Sequence, residues 1–202
     1  MHAAGGMSWQ VDVDQPEQLV IGLFVHAAAA LHSELAWLPP VSPTVTGNGP
    51  QGPEEAGSQW DAWWSQAVAR DRAWNASEDW PLLAASWWTP PAFGALADTP
   101  ALQAVVARHF TAAAAWAQAR KQEHIDTVLR PGRPLVETTL VADLERTSGR
   151  RARPFRLRVT EIPVAGQHLW QLHPDHILIS AALLRDTNEY RRRLTSVVQA
   201  LV

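Results

Sequence analysis

The chain has 202 residues, 47% apolar and 18% charged, which is enough apolar material to bury a core and excludes disorder as the default state. It has no cysteine, so a disulfide scaffold, a thiolate metal centre and a cysteine nucleophile are all excluded. The formal net charge of −3 weighs against a dedicated nucleic-acid binder.

The charge is unevenly spread. Residues 1–119 hold 3 basic side chains (Arg70, Arg72 and Arg108) against 11 acidic ones, whereas residues 120–202 hold 14 against 9. Two halves of opposite sign packed together account for this, and so does a basic surface facing an anionic partner. Lys121 is the only lysine among 17 basic residues; with abundant alanine, this reads as the codon usage of a GC-rich bacterial genome. Residues 1–6 carry no Lys or Arg, so no signal peptide is visible, and Met7 is an alternative start. The longest apolar run, residues 19–31, has 13 residues and includes His26. That is short of the roughly 18–20 a bilayer span needs, so no membrane span is expected and the compartment is expected to be the cytoplasm.

Along the chain, Asp14, Pro16 and Glu17 predict a helix start, and Leu19, Leu23, Ala27, Leu31 and Leu35 carry helical spacing to about Trp37. Residues 38–57, rich in Pro, Gly, Ser and Thr, predict a flexible loop. A second helix is predicted from near Ser58, with Asp61 at the capping-box position, to about Trp74. Residues 75–97 are broken by Pro81, Pro90, Pro91 and Gly94. A third helix opens at Asp98-Thr99-Pro100, proline being well suited to the first helical position, and runs to about Leu129.

After Pro134 the period changes. Val136, Thr138, Leu140, Ala142 and Leu144 alternate with Glu137, Thr139, Val141, Asp143 and Glu145, and Phe155, Leu157 and Val159 alternate with Arg156, Arg158 and Thr160, which predicts two strands joined as an antiparallel hairpin. The acidic outer row of one would face the arginine row of the other. Residues 168–172 and 176–180 predict two more strands about the turn His173-Pro174-Asp175-His176. Asp186 and Glu189 open a last helix with a stripe of Tyr190, Leu194, Val197, Val198 and Leu201. The predicted fold class is α+β in a single domain of residues 1–202. It has a mostly helical N-terminal half (about 14–130), then an antiparallel β-meander of about four strands closed by a C-terminal amphipathic helix (about 134–202).

Three groups of residues bear on chemistry. His168, His173, Asp175 and His176 supply three imidazoles and a carboxylate within nine residues, a donor set that suits a divalent metal such as zinc. No standard ligand spacing accompanies them, and an exposed turn with incidental histidines is the preferred explanation. Seven of the 11 tryptophans (Trp60, Trp63, Trp64, Trp74, Trp80, Trp87 and Trp88) fall between residues 60 and 88. Trp60, Trp63 and Trp64 have the spacing of one buried helix face, whereas Trp80, Trp87 and Trp88 sit among helix breakers, where recognition residues are often carried. Arg150, Arg151 and Arg153, with Arg191, Arg192 and Arg193, form two basic segments suited to phosphate or to a charge-paired face.

No nucleophile elbow, phosphate loop or dinucleotide fingerprint is present. The expectation is a non-enzymatic protein without a cofactor that binds a protein or ligand partner through the Trp-rich segment. The alternatives are a metal-dependent enzyme at the histidine cluster and a nucleic-acid accessory protein using the C-terminal arginines.

Overall fold

The first regular element of the computed structural model, which describes residues 9–47, 51–73 and 89–201, is a strand that periodicity passed over. Strand β1 (Gln10–Asp14) points Val11 and Val13 to one face and Asp12 and Asp14 to the other. It is followed by α1 (Glu17–Ala28), α2 (Glu54–Ala73), a 3₁₀ turn (Gly94–Leu96), α3 (Pro100–Val128) and α4 (Val136–Ser148). Then come β2 (Arg156–Ile162), β3 (Leu169–His173), β4 (His176–Ser180), α5 (Ala181–Arg185) and α6 (Thr187–Gln199). The chain is therefore α+β, and no described helix is long and apolar enough to cross a membrane.

The sheet is mixed, which corrects the expected antiparallel meander. Its strand order is β1-β2-β4-β3; β1 and β4 each run parallel to β2, and only β3 pairs antiparallel, with β4. The predicted strand over 136–145 is the helix α4. Val136, Leu140 and Val141 are buried on one side of it, and Thr138 and Ala142, which made the sequence seem to alternate, are too weakly apolar to define a strand face. Gly149, at φ 66°, takes the left-handed position that ends the helix. With no hairpin across residues 147–153, the partners expected for the β2 arginines are absent. The carboxylates of Asp12 and Asp14 on β1 hold Arg158 instead, at 2.7 and 3.1 Å.

Two compact units divide the chain. One comprises residues 1–14, 125–162 and 166–202; the other comprises residues 15–124 with 163–165. In the first, Leu157, Val159, Ile177 and Ile179 line one sheet face and meet Leu140 and Val141 of α4 and Tyr190, Leu194 and Val198 of α6. Each fully buried side chain of this size stabilises the fold by roughly 1.5–3 kcal/mol. The side chain of Asp186 accepts the Glu189 N–H at 3.1 Å and caps α6.

In the second unit α1 packs on α2 through the tryptophan face. Trp60, Trp63 and Trp64 are buried, with Trp60 stacked on Trp64 at 5.3 Å. The Trp60 indole N–H donates to the Gly22 carbonyl at 2.9 Å. A Cβ at Gly22 would lie 2.3 Å from the Trp63 ring, so glycine is what lets the helices approach.

Two helix boundaries also differ from expectation. Helix α1 stops at Ala28, not near Trp37, because Ala30 adopts φ 46°. Ala30 and Leu31 donate their N–H groups back to the Ala27 and His26 carbonyls, which closes a Schellman turn. Helix α2 begins at Glu54, inside the expected loop 38–57. Asp61 does not cap it; its carboxylate receives the Ser33 hydroxyl and the Glu34 N–H.

Candidate binding site

The turn that ends α1 sends residues 31–45 around its C-terminus, and the space they leave is a cleft of about 470 Å³. Its apolar wall is Leu23, Leu31, Leu35, Leu38, Val41 and Val45. Val41 is fixed by an antiparallel bridge to Val164, with Ser42 N–H donating to the Pro163 carbonyl at 2.9 Å and Ala165 N–H to the Pro40 carbonyl at 2.8 Å. Among the described residues the polar lining consists of His26, His32, Ser33 and Thr44, with no Lys, Arg, Asp or Glu.

His26 lies against Trp60, ring centroids 4.3 Å apart. Burial pushes its pKa below the ordinary histidine value and Asp61 opposes this only in part, so the imidazole is neutral at neutral pH. Its Nε2 is buried with no hydrogen-bond partner among the described residues. Ser33 is committed to structure. Its hydroxyl donates to Asp61 Oδ1 at 2.5 Å and accepts the Leu35 N–H at 3.0 Å, which ties the loop to α2 and leaves no proton for a histidine base to take. The result is a largely apolar recess, backed at Ser33 by the Asp61 carboxylate, of a size typical of small-molecule sites.

The histidine cluster foreseen as a metal site is divided by its strands. His173 and Asp175 do meet at the turn, Nδ1 to Oδ1 at 2.5 Å, and both are well exposed. His176 is 1% exposed and contacts Thr160 Oγ1 at 3.0 Å through Nε2. His168 stacks on Trp170 at 5.0 Å, and its backbone N–H donates to Ser180 Oγ. No group of three His, Asp or Glu residues among the described residues is placed to hold a metal ion. Trp80, Trp87 and Trp88 lie outside the described residues.

The two basic segments differ in their partners. Arg191 bonds Asp143 and Thr139, while Arg192 and Arg193 both bond Glu189 and hold its carboxyl down at about 2. Arg150, Arg151 and Arg153 are exposed or nearly so and have no such partners among the described residues.

Sequence reasoning missed both the cleft and the Asp12–Arg158–Asp14 group. The Val11/Val13 alternation was a legible signal for β1, too short to stand out beside the helix start that follows it. Nothing in the spacing of Leu31 and Leu35 marks the helix end, since both keep helical phase. The chain gives no match to family models, to curated proteins or to solved structures.

Proposed function

We propose that this is a binding protein whose site is the cleft at the C-terminal end of α1, and that its ligand is a small, uncharged and largely apolar molecule. One observation carries the reading: a recess of about 470 Å³ with six large apolar side chains and no ionisable group other than histidine in its lining. An anionic ligand would find no cation in the described lining, and the one carboxylate close behind it, Asp61, is already engaged by Ser33 and Glu34. The neutral imidazole of His26 lines the recess without adding a charge to it. The tryptophans of α2 act behind this site as its support, with Trp60 bracing His26.

A neutral fluorophore, N-phenyl-1-naphthylamine, tests the reading. Binding should raise its emission, and Ala27→Phe, which places a ring in the cleft, should weaken it at least tenfold with the helical content unchanged. Equal binding by that variant rejects the site. Trp87→Ala/Trp88→Ala in the same assay separates the cleft from the recognition segment expected from sequence. Loss of binding in that variant alone would return the assignment to the Trp-rich segment, residues 60–88.

A further inference from the structure

We infer that the loop between α4 and β2 is a second binding site, one that takes the phosphodiester backbone of single-stranded nucleic acid. Its unit holds 12 arginines against 10 carboxylates, so pairing within the unit leaves cations over. Three arginines without side-chain partners among the described residues share one loop, and Arg130, just beyond α3, is a fourth. Arg133, Arg146, Arg158, Arg191, Arg192 and Arg193 are each ion-paired. Arg150, Arg151 and Arg153, within four residues of one another, have neither an ion pair nor a side-chain hydrogen bond among the described residues.

Two carboxylates of α4 already have partners elsewhere. Asp143 is taken by Arg146 and Arg191, and Glu145 accepts the Ala152 N–H at 2.8 Å. That last bond, with the Arg150 N–H donated to Ser148 Oγ at 3.3 Å, holds the loop in shape before any ligand arrives. Beside it is a cleft of about 330 Å³ lined by Leu144, Thr147, Ser148, Arg150 and Gln199. There the Arg150 guanidinium and the Gln199 amide are both donors, as a phosphate requires.

Two residues beyond Arg153, Phe155 stacks on Trp9 at 6.2 Å with planes 16° apart, and both rings are only partly buried. Unpaired arginines next to a partly open aromatic pair combine backbone charge neutralisation with a stacking platform, the two elements by which single strands are held. A duplex, whose bases are already stacked, gains nothing from the second.

The test is fluorescence anisotropy of the full chain with fluorescein-labelled oligothymidylate of about 15 nucleotides. Three phosphate contacts give a salt slope of about −2, so affinity should fall roughly 40-fold between about 25 and about 150 mM salt. The variant Arg150→Ala/Arg151→Ala/Arg153→Ala, which alters only side chains without partners, should lose at least tenfold at low salt. Arg192→Ala, which removes an arginine already paired with Glu189, should bind as the parent does. Absence of binding at low salt overturns the inference, as does a triple variant that binds normally. Duplex binding as tight as single-strand binding removes the role given to the aromatic pair and overturns the assignment to single strands.

Discussion

The substitution Gly57→Ala separates helix propensity from tertiary approach, because the two predict opposite signs. Gly57 is the fourth residue of α2, where alanine is intrinsically favoured over glycine by about 1 kcal/mol. A Cβ there would lie 2.0 Å from the His32 carbonyl oxygen and 3.0 Å from its carbon. That oxygen belongs to backbone, and its segment is tied to α2 by the Asp61 bonds to Ser33 and Glu34, so it has little freedom to retreat. Helix and loop must separate by roughly an ångström, and overpacking of this kind costs about 1–3 kcal/mol. Taking the upper value for a backbone neighbour and subtracting the propensity gain leaves a net loss of about 2 kcal/mol. Urea unfolding of parent and variant at equal m-value measures it, with Gly94→Ala, where a Cβ meets nothing within 4 Å, as the control. Because His32 lines the cleft, the fluorophore should also bind Gly57→Ala more weakly. A variant more stable than the parent would refute the close approach of α2 to the loop, and with it the shape of the cleft.

Ala30→Gly should act in the other direction. Alanine at φ 46° gives up about 1–2 kcal/mol that glycine does not, and the added freedom of the unfolded chain returns part of it, so a gain of about 0.5–1 kcal/mol in chemical denaturation is expected. Replacing both Asp12 and Asp14 by Asn removes the two carboxylates that balance the Arg158 guanidinium, which is 2% exposed, and should cost about 3 kcal/mol in thermal unfolding. Arg158→Met, which leaves two partly exposed carboxylates that water can reach, should cost less; the reverse order would disprove the account of this group. Tyr190 is the only tyrosine, fully buried, and its hydroxyl donates to Glu137 at 3.0 Å. Burial first and the Glu137 charge second raise its pKa well above 10, so the folded state holds the proton after the unfolded state has lost it. Its contribution to stability is therefore complete below pH 10 and falls as the pH rises past it. The ultraviolet signal of tyrosinate should emerge only with the loss of the circular dichroism signal, and a tyrosine titrating near its ordinary value in folded protein would contradict its burial.

What the residues determined by themselves was whatever depends on neighbours in sequence. Pro100 set the start of α3, and Trp60, Trp63 and Trp64, spaced for one helix face, announced their own burial. Asp186 with Glu189 likewise marked the start of α6. The two strands about His173-Pro174-Asp175-His176 were legible for the same reason, since a proline turn between short alternating runs is a local signal. Residues 136–148 were not legible, because Val136, Leu140 and Leu144 satisfy a period of two and a helical face at once. Packing against α6, whose Tyr190 bonds Glu137, is what the structure adds in favour of the helix.

Parallel pairing of β1 with β2 brings together residues more than a hundred positions apart, and no local rule foresees Asp12 and Asp14 as the partners of Arg158. The cleft depends on where α1 stops, and Ala30 carries no sequence mark of the left-handed turn it makes. The arginines show the same division between composition and place. Their excess could be counted in the sequence, but only the tertiary structure decided that each arginine of the run on α6 has a carboxylate partner, shared or not, and that the run before β2 has none among the described residues. Charge pairing depends on which carboxylates the fold brings within reach, and distance in space is the quantity that sequence order does not contain.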